Sequence, residues 1–298
     1  MIQKIPALNL LQQKPLKAVC TFGIGGPAQY YVEARNIEEM QQAFLFCREN
    51  QLEHFILGKG SNCLFDDRGF KGVVIANKID FFESPQVGTY HVGAGYSFAL
   101  LGVQTARQQW TGLEFASGIP CSVGGAVFMN AGANGTETCH SLLSVDYLTL
   151  DGKLVTLKRD ALNFSYRSSS FQQMEGAIVG ATFRLEPYKE ARAKQLEIVA
   201  YRTKTQPYGE KSAGCVFRNP SCEHAGALID KAGFKGQQIG GAAVSDIHAN
   251  FIVNKGGLAT SKDVKELIEK IKCKIQETKG INLEIEIRLI QNEKGQHE

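Results

Sequence analysis

The apolar positions of this chain change period several times, and each change marks an element. Asn36 stands three residues before Glu39 in the form of a capping box. Met40, Phe44 and Cys47 then recur at helical spacing and predict a helix over 37–49. Short apolar runs at 55–57, 63–65 and 73–75 predict buried strands, the first two separated by Gly58-Lys59-Gly60-Ser61-Asn62. Ser97 can cap a helix that carries Ala99, Val103 and Ala106 on one face and reaches Gln109. Two β-rich runs, 145–150 and 153–157, flank Asp151-Gly152 and predict a hairpin closed by a type I′ turn. A strand over 177–185 ends at Pro187, a domain boundary, and a helix follows over 190–201.

Near the C-terminus Ser261 can cap a helix whose Val264, Leu267, Ile268, Ile271 and Ile275 form one stripe, with Gly280 as its stop. The run 281–290 then alternates, which predicts a strand. Ile281, Leu283, Ile285, Ile287 and Leu289 face one way, and Asn282, Glu284, Glu286 and Arg288 the other. Two carboxylates and a guanidinium on one rigid face make a platform for a site. Strands and helices mix without strict alternation or repeat, so the expected fold class is α+β.

Composition narrows the function classes. A chain of 298 residues suits two or three domains, and 43% hydrophobic with 21% charged residues excludes a disordered or fibrous protein. Lys+Arg 33 against Asp+Glu 30, interspersed, leaves no electrostatic footprint for nucleic acid or a membrane surface. No apolar run approaches a membrane span, and the start is too short and too broken by Pro6 and Gln12 for a signal peptide. The expected location is the cytoplasm. Eight cysteines include no C-x-x-C pair, and His140 and His224 each sit beside only one of them, so no metal site or disulfide framework is expected.

Two glycine-dense segments carry the candidate chemistry. Gly58-Lys59-Gly60-Ser61 is not a Walker loop, because Gly60 separates the lysine from the hydroxyl. It remains a turn that could cradle a diphosphate, or an ordinary tight turn. The tract 112–135 is too apolar for an exposed loop and too glycine-rich for a regular element, so its backbone is expected to lie against a ligand. Two such loops suit a dinucleotide, and the lack of G-x-G-x-x-G opening a helix argues against a Rossmann site.

Six segments stand in order: Thr21-Phe22-Gly23-Ile24-Gly25-Gly26-Pro27-Ala28, Leu57 to Asn62, Gly118 to Ala126, Asn130-Ala131-Gly132-Ala133, Tyr166-Arg167-Ser168-Ser169-Ser170-Phe171, and Gly240-Gly241-Ala242-Ala243-Val244. Over residues 15 to 290 the chain resembles the MurB family, the enolpyruvyl nucleotide reductases of peptidoglycan synthesis. The resemblance implies a vanillyl-alcohol-oxidase-type FAD-binding fold in two subdomains, 1–80 and 81–188, and a C-terminal α+β substrate domain, 189–298. It implies a non-covalent FAD, NADPH as hydride donor sharing one pocket with the UDP-sugar substrate, and a monomer. Cofactor contacts would come from Leu57, Gly58, Lys59, Gly60, Ser61, Asn62 and Leu64. Others would come from Gly118, Ile119, Pro120, Cys121, Ser122, Val123, Gly124 and Ala126, and from Asn130, Gly132 and Ala133.

The same resemblance implies three catalytic residues. Arg167 would stabilise the substrate carboxylate as negative charge develops beside it, since a guanidinium suits two-point contact. Glu286, the second carboxylate of Leu283-Glu284-Ile285-Glu286-Ile287-Arg288, would be the family's glutamate in preference to Glu284. Cys215 is a departure, standing where the family usually has the serine that delivers a proton. A thiol with an ordinary pKa of about 8.5 is mostly protonated at neutral pH and is a stronger acid than an alcohol, so the role can survive. Tyr166, Arg202, Arg218, Asn219, His248 and Asn250 would contact substrate. The segment between Leu185 and Glu210 leaves no room for the tyrosine-bearing loop of one branch, so the chain resembles the shorter branch. Read from residues alone, three alternatives stand beside this one: another flavin oxidoreductase of the same fold, a hydrolase using Cys215 as nucleophile, and a non-catalytic flavin- or nucleotide-binding module.

Overall fold

The structure, a computed structural model, describes residues 8–291. Its contacts divide the chain into two units, one of Met1–Leu11, Tyr31–Lys59 and Gly72–Arg202, the other of Gln12–Tyr30, Gly60–Lys71 and Thr203–Glu298.

The first unit begins with three neighbouring strands of one sheet and a helix. Strand β1 (Pro27–Ala34) enters the unit at Tyr31. Helix α1 (Ile37–Glu49) and strands β2 (His54–Leu57) and β3 (Phe70–Asn77) follow. Asn36 caps α1 by accepting the Glu39 N–H at 2.8 Å. The Glu39 carboxylate reaches back to the N–H of Arg35, one residue before the cap, at 2.7 Å. The stripe foreseen for this helix is buried, and Ala43 and Phe46 widen it. Strands β2 and β3 pair in parallel, from His54 with Val73 to Leu57 with Ala76, which leaves the glycine turn at the C-terminal end of β2.

The rest of the unit is a five-stranded antiparallel sheet. Its strands are β4 (Phe82–Gln86), β5 (Thr89–Gly93), β6 (Leu142–Thr149), β7 (Leu154–Lys158) and, after a small hairpin of β8 (Phe164–Ser165) and β9 (Ser168–Ser169), β10 (Gly176–Arg184). The order is β7-β6-β10-β5-β4. Helices α2 (Phe98–Arg107) and α3 (Val123–Phe128) share a core with it that includes Phe98, Phe115, Val127, Tyr147, Phe171 and Phe183. Each such side chain contributes about 1.5–3 kcal/mol on burial. Helix α4 (Ala191–Thr205) follows, and Lys194 on it donates to the buried Glu114 carboxylate at 3.1 Å.

Two expectations change here. The β6–β7 hairpin forms, but only Gly152 has positive φ, +87°. Gly152 N–H bonds to Thr149 O at 2.9 Å and Thr149 N–H to Lys153 O at 3.0 Å. The loop is therefore a type I turn followed by a glycine bulge, not type I′, and the Thr149 hydroxyl donates to the Asp151 carboxylate across it. The glycine-dense tract is more regular than foreseen. It holds a 3-10 turn, Glu114–Gly118, and helix α3, capped by Ser122 through the Gly125 N–H at 3.3 Å. Gly124 is required by protein packing, because a Cβ there would lie 2.9 Å from that of Ala94.

The second unit contains β11 (Ser212–Cys215), α5 (Ala225–Lys231), β12 (Gln238–Ile239), β13 (Ala242–Val244), β14 (Phe251–Asn254), α6 (Ser261–Lys279) and β15 (Arg288–Ile290). Four strands form a sheet in the order β11-β14-β13-β12. The apolar stripe of α6 belongs to this unit's core with Leu228, Phe234 and Ile252. The cap of α6 is Thr260 and not Ser261. Thr260 and Asp263 form the reciprocal capping box, while Ser261 donates its N–H and hydroxyl to Asp67, each at 2.8 Å. Gly280, at φ +68°, ends the helix as foreseen.

The alternating run 281–290 is the largest correction. Regular pairing is confined to β15, which lies parallel to the strand Cys63–Phe65, with one isolated bridge between Ile285 and Phe217. The burial alternation survives: Leu283 and Ile287 are buried and Glu284 is exposed. The backbone bonds of Glu284 and Glu286 flank the bridge, and regular pairing resumes only at Arg288, so the pattern reads as one strand where the chain is paired in two short pieces. Among the described residues no helix is long and apolar enough to cross a membrane.

Candidate functional site

In the first unit three segments converge on the end of β2. A Cβ on Gly58 would lie 2.5 Å from Ser122 Oγ, Ser97 and Ser122 form a β-bridge, and Lys59 Nζ donates to Ser97 Oγ at 2.7 Å. The predicted residues Leu57 to Lys59 and Cys121 to Gly124 are thus neighbours. Burial pushes the Lys59 ammonium below its ordinary pKa, against the opposing influence of the Cys121 thiol. Burial pushes both Cys121 and Cys63 up to about 12.

The first N–H groups of α3 are already spoken for. Val123 donates to Tyr96 O at 2.9 Å, Gly124 to Ala94 O at 2.8 Å and Gly125 to Ser122 Oγ. The helix start therefore binds protein, and Gly125 is the least crowded glycine of the seam. A Cβ on Gly125 would meet only Ser122 Oγ at 3.4 Å and Cys121 Cβ at 4.0 Å. Such a seam of glycine and hydroxyl groups fits a dinucleotide, which needs close backbone approach. Val123 and Ala126 are buried in the core and present only backbone. Gly118 O accepts from Arg202 Nε at 3.0 Å, so this predicted substrate residue steadies the loop that continues through Ile119 and Pro120. Gly132 and Ala133 pair with Glu137 and Thr136 in a two-residue ladder.

Arg167 occupies the tip of the β8–β9 hairpin. Ser165 pairs with Ser168, so Tyr166-Arg167 is a two-residue turn. Arg167 has φ +56° and its guanidinium lies 5.0 Å from the centre of the exposed Tyr166 ring. A left-handed backbone at an L-residue costs about 1–2 kcal/mol. Asn130 stands behind the hairpin, fully buried, with its whole amide committed to the fold. Its Nδ2 donates to Ser165 O at 2.9 Å and Glu137 Oε2 at 2.8 Å, and its Oδ1 accepts the Cys139 N–H at 3.1 Å. Glu137, Cys139 and His140 offer three potential ligand atoms within 4.8 Å of one another, a grouping invisible when His140 is matched only with cysteine. Glu137 is held by Asn130, and its N–H donates to His140 Nδ1 at 3.2 Å.

In the second unit Cys215 and Glu286 come together from distant parts of the chain. Glu286 N–H bonds to Val216 O at 2.8 Å, next to Cys215 at the end of β11. Asn62, from the glycine loop, donates through Nδ2 to Glu286 O at 3.2 Å and accepts the Arg288 N–H on its carbonyl at 2.9 Å. Asn250 is 3% exposed and grips Phe217, its Oδ1 accepting the N–H at 2.9 Å and its Nδ2 donating to the carbonyl at 2.8 Å. Its own carbonyl accepts the Val216 N–H. Like Asn130, it is built into the frame.

Arg218 N–H bonds to Glu284 O, and its Nη1 lies 3.4 Å from Glu284 Oε2. Its Nε is buried with no hydrogen-bond partner among the described residues. Asn219 Oδ1 accepts the Ala225 N–H at 3.0 Å, and the His248 ring packs edge-on against Phe251. Leu64 is in the core. The motif at 21–28 had no assigned task. Thr21 bridges the glycine loop and β11, its N–H donating to Gly60 O at 3.1 Å and its hydroxyl to Ser212 O at 2.7 Å. Asn254 Nδ2 secures Phe22 O at 3.0 Å. Gly60 itself admits no side chain, since its Cβ would come 2.7 Å from Val19 O.

Comparison with known proteins supplies the chemistry. Residues 28–158 match the family described as FAD binding domain. Residues 206–290 match the one described as UDP-N-acetylenolpyruvoylglucosamine reductase, C-terminal domain. A protein of Protochlamydia amoebophila (strain UWE25) called UDP-N-acetylenolpyruvoylglucosamine reductase is 63% identical over 275 residues, 92% of each chain. The protein of that name from Chlamydia trachomatis serovar D is 46% identical over 285 residues, 95% of this chain and 96% of its own. The crystal structure of that reductase from Thermus caldophilus superposes with a TM-score of 0.79 at 34% identity, covering 95% of this chain and 98% of the other.

Proposed function

The chain belongs to the UDP-N-acetylenolpyruvoylglucosamine reductase family, and from that membership we propose how its own residues divide the reaction. It is an FAD-dependent oxidoreductase that uses NADPH to reduce UDP-N-acetylglucosamine enolpyruvate to UDP-N-acetylmuramate, a precursor of peptidoglycan. Bound FAD supplies a hydride acceptor for NADPH and then a hydride donor for the enolpyruvyl methylene carbon.

Hydride arrival at that carbon leaves negative charge on the adjacent carbon and its carboxylate. Arg167 offers paired planar donors to the carboxylate, strongest when charge has developed there. The Cys215 thiol gives its proton to the carbanionic carbon, and Glu286 is the second polar partner of the same centre. Arg218, with its unpaired Nε, and Asn219 bind the nucleotide sugar. Leu57–Asn62, Leu64, Gly118–Gly124, Ala126, Asn130, Gly132 and Ala133 hold FAD, with Asn130 acting through the backbone it braces. NADPH and substrate take turns in one pocket of a cytoplasmic monomer, in a chain whose regions 1–80 and 81–188 serve the flavin and whose region 189–298 serves the substrate.

The observation that supports the residue assignment is the 2.8 Å bond from the Glu286 N–H to Val216 O, which brings the Glu286 backbone next to the strand that ends at Cys215. Anaerobic stopped-flow tests it. The yellow enzyme should bleach with NADPH and regain colour when the enolpyruvyl nucleotide is added. A flavin that stays reduced in the presence of that nucleotide defeats the reading.

A further inference from the structure

Arg167 is held in its left-handed conformation by something, because an arginine has no preference for it. Gln172 contacts the Arg167 carbonyl. Its amide has two N–H donors, and Nε2 lies 3.1 Å from Arg167 O and 3.1 Å from Phe128 O. Ser169 Oγ donates to the same Phe128 carbonyl at 2.7 Å, and Asn130 Nδ2 holds Ser165 O on the other flank of the turn. Phe128 is the last residue of α3, and Asn130 stands two residues on, after the C-cap Met129. The turn is therefore pinned on both sides to one short segment, and the Gln172 side chain reaches the peptide of Arg167 itself.

We infer that Gln172 is a positioning residue, which fixes the Arg167 peptide against the C-terminal end of α3 so that the guanidinium is presented in one direction. The inference rests on the reading that Arg167 binds the substrate carboxylate. Freed from Gln172, the turn can relax toward conformations with negative φ, and a peptide reorientation at Arg167 swings the side chain away from its aim. Misplacement of about 1 Å at a reacting centre costs on the order of 10²-fold in rate. Hydride transfer from NADPH needs no help from a carboxylate-binding group, so the loss belongs to one half-reaction.

The test uses the FAD-loaded enzyme and four variants, Gln172→Ala, Gln172→Glu, Arg167→Ala and the double variant Arg167→Ala with Gln172→Ala. Bleaching by NADPH and flavin content should stay near wild type in Gln172→Ala, while reoxidation by the enolpyruvyl nucleotide slows by about 10–100-fold. In the Arg167→Ala background the second substitution should slow reoxidation no further, because there is no guanidinium left to aim. Gln172→Glu faces two carbonyls with a carboxylate and should regain rate as pH falls and the group becomes a donor. Reoxidation at wild-type rate in Gln172→Ala, or additive losses in the double variant, overturns the positioning role. Wild-type reoxidation in Arg167→Ala instead overturns the reading of Arg167, and the two failures are told apart by which variant keeps its rate. Should Gln172→Ala fail to fold, Gln172→Glu and its pH profile decide the matter alone.

Discussion

The Arg167 turn and the Cys215–Glu286 pair solve the same problem by different means. The pair sits on extended backbone, where the Glu286–Val216 bond and the Phe217–Ile285 bridge set its register. Arg167 sits on a two-residue turn at φ +56°, and side-chain amides from outside the hairpin hold it there. Behind each stands a buried asparagine whose amide is used on the fold, Asn130 on two backbone groups and the Glu137 carboxylate in one unit, and Asn250 on the Phe217 backbone in the other. The lesson is that a ladder leaves few ways to misplace a side chain, whereas a strained turn must be corrected by its surroundings. Substitutions at Cys215 and Glu286 should therefore remove chemistry, and those around Arg167 should remove aim.

The largest effects test the chemistry on each side. Arg167→Lys keeps the charge but loses the paired planar donors, and reoxidation by substrate should fall about 10²–10³-fold, or 2.7–4 kcal/mol. Cys215→Ala should bleach normally with NADPH and then fail to reoxidise, because the substrate carbanion has no proton source. Cys215→Ser should recover substantial activity, and should resist the alkylating agent that inactivates the native enzyme. Normal turnover by Cys215→Ala would leave that residue a packing group.

Asn250→Ala should be next in size, and its loss should be of stability. It leaves the Phe217 N–H and C=O unpaired in the interior, at about 1–3 kcal/mol for each group. Urea denaturation should show a lower midpoint, and the variant that remains folded should retain part of its second half-reaction, since no reacting group is removed. Unchanged stability would show that Asn250 is not part of the frame.

Much of this was legible in the sequence, for reasons that differ by residue. The α1 and α6 stripes and the hairpin were readable because their signals are local. The turn type of that hairpin was missed because Asp-Gly permits two geometries, and only the pairing of Thr149 with Lys153 decides between them. Asn130 and Asn250 stand in motifs read as ligand-binding, yet their amides are spent on the fold, including the backbones of Ser165 and Phe217 more than thirty residues away, which no spacing rule reveals. Gln172 carried no signal at all. A glutamine five residues after an arginine means nothing until the turn places them together.

Farther along the Glu286 segment, Asp66 offers a test through pH. Its N–H bonds to Ile290 O at 3.0 Å, and its carboxylate takes Arg68 Nε at 2.9 Å and Lys265 Nζ at 3.0 Å. The Arg68 guanidinium, opposed by burial and aided by the Arg68 N–H and Lys265, holds this carboxyl well below the ordinary range of about 3.9. A depressed folded-state pKa means stability that is present above the unfolded value and lost as pH falls through the folded one. Asp66→Asn should thus be less stable than wild type at neutral pH, by an amount that shrinks below about pH 4. A difference independent of pH would assign Asp66 a packing role only.

The smallest expected effect separates two carboxylates that the alternation placed on one face. The Glu284 side chain is 73% exposed and pairs with Arg218 at 3.4 Å, while Glu286 is half-buried beside the end of β11. An exposed ion pair is worth about 0–1 kcal/mol. Glu284→Gln should therefore change stability by less than that, and should leave reoxidation within about threefold of wild type on that scale. Glu286→Gln should cripple reoxidation with flavin binding intact. Glu284→Gln also frees Nη1 of Arg218 from its carboxylate, so a small gain in affinity for the nucleotide diphosphate is the expected sign. A larger loss of reoxidation in Glu284→Gln than in Glu286→Gln would exchange the two assignments, and would make Arg218 the side chain whose pairing matters for turnover.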